Sequence, residues 1–315
     1  MSSILLAFQQ VLLQANAPDK ITLEYIRSLE FPPIIHYAVP VMLSLVLLEW
    51  LIGLRQKKHL YEGKDFLASA AIGVGNLLVS ALLKTGMLIA FIAVYNITPL
   101  RIPPTWWSYI LCLIAVDFAR YWAHRLAHEW QFLWATHVTH HSSPNYNFAV
   151  SFRLSWTQHI KLLFFLPLGL FGFHPVVFFI VNQIEILYQF WIHTELIHKL
   201  PRPIEYIFTT PSHHRVHHAV DDKYIDKNYG STLIIWDRMF GTFQPEEHRP
   251  TYGITKPVKS YNPVTLNFHV WVDVVKELRQ ARSAKDVYQI MFGYPGTWKK
   301  KASAVSTEGS DNKAA

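Results

Sequence analysis

Three histidine clusters stand out in this 315-residue sequence, which holds 17 histidines in all. His124 and His128 are four residues apart; His137 is followed by His140 and His141, and His214 by His217 and His218 at the same spacing. Helix positions i, i+3 and i+4 project to one side, so each triplet can offer three ring nitrogens to a common point. Eight neutral imidazoles exceed the three or four protein ligands that one catalytic metal commonly takes. Two metal ions follow. Imidazole suits iron, zinc, copper and nickel alike, while the absence of Cys or Met beside the clusters argues against Cu(I), thiolate-ligated zinc and iron–sulfur centres. Iron is favoured, because a dinuclear iron site at a lipid phase has an evident use in activating oxygen against unactivated C–H bonds. His193, at the end of an apolar helix, is a ninth candidate ligand.

Isolated histidines such as His36, His59, His159, His174, His248 and His269 are expected to be structural or interfacial, and His198 and His213 complete no repeated spacing. Asp117, seven residues before His124, and Glu129, directly after His128, are expected to accept the outer ring N–H of metal-bound imidazoles and fix their tautomers. The plainer alternative for both is a cap or an ion pair with Arg120 or Arg125. Asn182, Glu185 and Gln189 lead to His193 in steps of three and four, a polar stripe within an apolar helix that is expected to line a substrate channel.

The elements that must hold these groups read as membrane helices. The chain is 51% hydrophobic and only 16% charged, against about 25% charged for an ordinary soluble domain. The fold class expected is all-α, an integral membrane multi-helix bundle whose cytoplasmic helical cap carries a His-rich dinuclear site. Spans are expected near 34–53, 65–97 and 106–123, with a membrane hairpin over 160–192 that returns the flanking histidine segments to one side. Residues 65–97 are long enough for one tilted helix or two short ones, and Gly73 and Gly75 suggest close packing there. The His-rich cap takes residues 124–159 and 193–298 of a single domain over 34–298. Residues 1–33 are read as a surface-helix region, centred on Ile4 to Leu13, and 299–315 as a disordered tail. The opening MSSILLAFQQ lacks the positive flank of a secretory signal, so insertion is expected from internal segments.

Net charge is +7, but the basic residues are thinly spread beside apolar runs without stacking platforms, which excludes nucleic acid as the expected partner. Of the 29 Lys and Arg residues, 12 precede residue 194 and 17 follow it. The last third therefore faces the cytoplasm by the positive-inside rule, in an endoplasmic reticulum or bacterial inner membrane. The single cysteine, Cys112, has no intrachain partner. No Gly-rich dinucleotide fingerprint is present, so electrons are expected from a donor outside the chain.

The order HRLAH at 124–128, HVTHH at 137–141, HHRVHH at 213–218 and NYGSTLIIWDRMFGTF at 228–243 resembles the fatty acid hydroxylase and sterol desaturase superfamily of membrane di-iron enzymes. The His128-Glu129 step, HHSS-x-x-YN ending at Asn147, FWIHTE at 190–195 and YIDKNYG at 224–230 look most like its alkylglycerol monooxygenase branch. The resemblance covers roughly residues 105–255. It implies a helical membrane domain with two iron ions, O2 as oxidant, a lipid substrate and, from the branch, tetrahydrobiopterin as reductant. Pro144-Asn145 departs from the acidic residue expected after the two serines, and FRLSWTQ at 152–158 from an expected LRQS. The function expected is lipid hydroxylation, specifically alkylglycerol ether cleavage through a hemiacetal. A fatty acid or sterol desaturase on the same site is the first alternative. A metal transporter or bis-His haem protein is disfavoured, since it would distribute its ligands along several membrane helices.

Overall fold

A computed structural model describes residues 20–29 and 34–298. The expected surface helix near Ile4 to Leu13 and the tail 299–315 lie outside the described residues. Thirteen α-helices follow one another in the described chain: α1 Leu23–Ser28, α2 Ile34–Arg55, α3 Gly63–Ile97, α4 Trp106–Glu129, α5 Gln131–Trp134, α6 Val138–His141, α7 Leu166–Leu170, α8 Pro175–Trp191, α9 Arg202–Ile207, α10 Pro211–His217, α11 Ile235–Phe240, α12 Pro263–Leu278 and α13 Ala284–Phe292. No strand occurs among the described residues, and β pairing is confined to three isolated bridges.

Two helices are long and apolar enough to cross a membrane: Tyr37–Arg55 within α2, at mean hydropathy 2.0, and the whole of α3, at 2.3. Only 17% and 11% of these stretches are buried, which is unlike the core helix of a soluble protein. Leu47 and Leu51 on α2 and Leu77, Leu78 and Leu82 on α3 point outward. Each such side chain costs about 1.5–3 kcal/mol to leave in water rather than bury in an apolar phase, and lipid removes that cost. The chain is a membrane protein. α3 is one unbroken helix of 35 residues, about 52 Å at 1.5 Å per residue, longer than a hydrocarbon core of about 30 Å. Its start is fixed by the Glu62 carboxylate, which accepts from the N–H groups of Lys64 (3.1 Å) and Asp65 (2.7 Å).

The stretch 106–123 is helical as expected, while the hairpin over 160–192 differs. Residues 106–123 form the first three-quarters of α4, but that helix turns Asp117 and Tyr121 into the fold and is not among the two helices that meet the length and hydropathy of a crossing. The first arm of the expected hairpin is a 3-10 stretch, Gln158–Phe164, followed by the five-residue α7. Pro167 has no N–H for a continuing helix and clashes with the preceding turn, so the arm breaks there. Gly172, at φ 84°, then reverses the chain into α8. α4 packs on α8 and α3 on α7, around a core that includes Phe91, Cys112, Val116, Val177 and Phe178. Gly73 and Gly75 face Phe152, at the end of a short 3-10 turn, and Trp156 just after it, rather than another α-helix. A Cβ on Gly75 would come within 2.4 Å of the Trp156 indole, whose N–H donates to the Ile72 carbonyl at 3.0 Å.

Two buried carboxylates tie the membrane helices to the rest. Asp65 pairs with Arg153, which is itself buried, and accepts from Ser143 at 2.6 Å. Glu49 on α2 accepts from the hydroxyls of Tyr61 and Thr194 and from the N–H of Phe148 at 2.8 Å. Thr194 follows His193, so α2 is latched directly to a candidate ligand segment.

Candidate metal centre

Nine imidazoles converge in two adjoining groups. His124, His128, His137, His141 and His217 form the first, and His140, His193, His214 and His218 the second; within each, one nitrogen per ring lies within 4.8 Å of the others. His124 and His128 come from the last two turns of α4, and His193 from just beyond α8. α6 and α10 present the triplets, the latter started by Pro211 and the Thr210–His213 capping box.

Each triplet is split between the groups, which differs from the expectation that its three nitrogens share one point. His137 and His141 enter the first group while His140 enters the second; His214 and His218 enter the second while His217 enters the first. At 100° per residue, positions i and i+4 differ by about 40° around a helix, whereas i+3 departs by about 60° on the other side. The i, i+4 pair therefore shares a target and the i+3 ring looks past it.

Ring nitrogens face one another across both groups. Nε2 of His124 and His137 are 2.8 Å apart, and His141 and His137 3.2 Å. In the second group Nε2 of His193 lies 3.2 Å from His140 and 3.0 Å from His214, and Nε2 of His218 3.1 Å from His140. The opposite edges of several rings are already committed. His124 Nδ1 meets the Tyr229 carbonyl at 2.8 Å, His217 Nδ1 the Lys227 carbonyl at 3.0 Å, and His193 Nδ1 the Gln189 carbonyl at 2.7 Å. Nδ1–H donation outward leaves lone pairs inward, and lone pairs at this separation repel unless a cation sits among them. His128 Nε2 and His217 Nε2 are buried with no hydrogen-bond partner, a costly state that a metal would relieve. Burial holds all nine rings below the usual imidazole range, His193 down to about 4. They are neutral at pH 7, the form that ligates. The donor set fits metal ions.

The carboxylate beside these rings is one the sequence pattern left unmarked. Asp226 Oδ1 lies 3.3 Å from His128 Nδ1, and its Oδ2 accepts from the Tyr294 hydroxyl. Asp226 and Asn228 both adopt left-handed φ of 58°, and the turn they make aims the Lys227 and Tyr229 carbonyls at His217 and His124. Asp237 fastens that turn through the N–H groups of Tyr229 and Gly230, both at 2.7 Å. Its only signal in the sequence was the YIDKNYG segment.

Asp117 and Glu129 do otherwise than expected. Asp117 is fully buried, but two turns, about 10.5 Å along the helix, separate it from His124. It accepts instead from the N–H groups of Thr232 (2.7 Å) and Leu233 (3.1 Å) and the Trp236 indole (2.9 Å). Glu129 is half-exposed and pairs with Arg125 at 2.8 Å, one helical turn back. The polar stripe is likewise engaged: Arg120 donates to Glu185 at 3.0 Å and to Asn182 at 2.6 Å, and Gln189 donates its amide N–H to the Glu185 carbonyl. It forms a buried ion-pair network within the bundle and lines neither of the two cavities described below. Trp134, Tyr146 and Tyr229 pack on the imidazoles and close the surroundings with aromatic surface.

A family described as fatty acid hydroxylase matches residues 109–242, the stretch that holds all nine histidines and Asp226. Residues 109–242 are thus similar to a fatty acid hydroxylase domain. Among curated relatives, alkylglycerol monooxygenase of Homo sapiens is 38% identical over 280 residues, covering 85% of this chain and 60% of the relative. That of Danio rerio is also 38% identical, over 271 residues with the same coverage. The ornithine lipid hydroxylase OlsE of Rhizobium tropici is 31% identical over 166 residues, 49% of this chain and 48% of that protein. The chain thus spans about 60% of the length of the alkylglycerol monooxygenases. No solved structure matches. The matched stretch opens within α4 and closes just past α11, so α2 and α3 precede it.

Proposed function

We propose that the chain is a membrane monooxygenase that holds two iron ions in the paired histidine groups and hydroxylates a lipid, with cleavage of alkylglycerol ethers as the specific reaction. The observation that carries this reading is the pairing itself: five and four neutral imidazoles with inward lone pairs. For metal–nitrogen bonds of about 2.1 Å, ligands at right angles lie about 3.0 Å apart and tetrahedral ones about 3.4 Å. The separations of 2.8–3.2 Å let the rings close on a metal ion of either geometry, and the choice of iron rests on the resemblance. The relatives named as monooxygenase and lipid hydroxylase point the same way.

Bound iron would supply activation of O2, with one oxygen atom entering the substrate C–H bond and the other leaving as water after two electrons and two protons arrive from an external donor. Tetrahydrobiopterin is the donor that the resemblance implies. The chain's own residues do the rest. Asp226 and the Lys227, Tyr229 and Gln189 carbonyls hold the ring tautomers, and Trp134, Tyr146 and Tyr229 exclude water. An apolar groove of about 230 Å3, lined by Trp130, Leu133, Ile160, Leu163 and Phe292 among others, opens beside α5. It receives the substrate's alkyl chain from the bilayer. The basic loop after α2 and the basic last third set the site on the cytoplasmic side.

The test is metal analysis of the purified full chain with product analysis under 18O2 and an alkylglycerol. About two irons per chain and 18O in the fatty aldehyde are expected, both lost when any of the nine histidines is replaced by Ala and kept in His269→Ala. One metal or none per chain, or unlabelled product, overturns the reading.

A further inference from the structure

A second cavity lies apart from the apolar groove. It measures about 910 Å3 and lies between the loop joining α2 to α3, the segment after His193 and the loop 246–249. That volume falls in the range of small-molecule sites. Its carboxylates are all matched by cations. Glu246 takes both guanidinium nitrogens of the buried Arg215 at 2.7 Å, Glu195 takes Arg249 at 3.0 Å and the Tyr252 hydroxyl, and Glu247 takes Lys223. Lys57 and Lys58 line the same space with no carboxylate paired to either, and Lys199 donates to the Glu246 backbone carbonyl. Three ammonium groups therefore face one cavity without a protein counter-charge.

We propose that this cavity is a binding site for a phosphate-bearing group. A carboxylate brings one negative charge, whereas a phosphate monoester carries about −1.5 to −2 at pH 7 with three acceptor oxygens, a closer match to three ammonium groups. Lysine serves phosphate as a point charge, without the planar fit that a carboxylate obtains from arginine; here both arginines are already spent on glutamates. Lys57 and Lys58 directly follow the membrane-crossing α2, so the cavity mouth sits at the level of lipid headgroups. Two sources offer the same chemistry there: a phospholipid headgroup and a soluble phosphate ester. Arg215 stands between the ligand candidates His214 and His217, and Glu195 two residues after His193, so the cavity shares its inner wall with the second histidine group. This assignment stands apart from the oxidation chemistry and does not depend on it.

The test titrates the full chain, in uncharged detergent, calorimetrically with dihexanoyl phosphatidate and separately with inorganic pyrophosphate. Saturable binding of at least one probe is expected. Lys57→Ala/Lys58→Ala should weaken it about thirtyfold, from about fivefold per surface lysine removed, with histidine-site metal content unchanged. Arg55→Ala/Lys64→Ala removes the same charge from the helix ends flanking that loop, outside the cavity, and should change affinity less than threefold. Binding of phosphatidate alone assigns the lipid source, and of pyrophosphate alone the soluble one; either sustains the site. Absence of saturable binding by both probes, or equal losses in the two double variants, overturns it.

Discussion

Asp226 and Glu129 make a matched pair of carboxylates near His128, and they should respond oppositely to loss of charge. Asp226→Asn removes the acceptor that fixes the His128 tautomer, a type of change that lowers metal affinity or activity about 10–100-fold. Glu129→Gln removes a half-exposed pair one helical turn from Arg125, worth about 0.3–0.5 kcal/mol. Metal titration of both variants decides the matter; equal losses would return Glu129 to the role its position after His128 suggested. The histidines were legible because ligand chemistry repeats a spacing, HxxHH twice, that packing has no reason to repeat. Asp226 was not, because it reaches His128 across 98 residues through a left-handed turn, and nothing in a local window marks such a contact. Asp117 misled for the opposite reason: helical phase put it on the right face, but phase ignores the rise of two turns.

Among the elements, α3 was expected over 65–97 with its number of helices open, and the structure makes it one. The paired glycines on it looked like a helix-packing motif, yet they admit Phe152 and Trp156 from an irregular segment. Gly75→Ala should therefore destabilise by about 1–3 kcal/mol, as overpacking does, visible as a lower thermal midpoint, while Gly86→Ala, with open space around its Cβ, should not. The hairpin's first arm failed as a helix because apolar content alone cannot tell a helix from a 3-10 stretch once Pro167 intervenes. α10 depends on Glu205, which accepts from Thr210, Ser212 and the Leu200 N–H and lies 3.0 Å from His213 Nε2. Burial works to raise this carboxyl, but the His213 contact, the Leu200 N–H and the Ser212 hydroxyl outweigh it and bring it down to about 2. A folded-state value below the unfolded one means that the stabilisation is full above pH 4.5 and is lost as pH falls toward 2. The side chain is mostly buried, 16% exposed, and its charge-assisted hydrogen bonds are worth about 1.5–3 kcal/mol. Acid unfolding of Glu205→Gln should show that loss at pH 7 and a flatter profile between pH 5 and 2.

At the scale of the whole molecule, composition and the runs of apolar residues made the membrane assignment legible, because lipid-facing helices expose what soluble helices hide. The cavities were not legible, since their walls join residues from distant parts of the chain: Trp130 with Phe292 in one, Lys57 with Arg249 in the other. Narrowing the apolar groove with Leu163→Trp should shift substrate preference toward shorter alkyl chains by about tenfold in relative kcat/KM, with metal content unchanged; an unaltered preference would place the chain elsewhere. The exchange of rings between α6 and α10 carries a consequence for assembly. Each of these helical turns donates to both groups, so filling one centre orients the ring that the other centre needs. The two ions should enter cooperatively, giving a sigmoidal uptake curve for the metal-free protein and almost no singly loaded species by native mass spectrometry. His140→Ala, which removes a ligand from the second group only, should then also weaken the first. With two metal ions bound as proposed, such a protein would behave in the cell as a counter that reads either zero or two, and its fraction active would fall steeply, not gradually, as the metal becomes scarce.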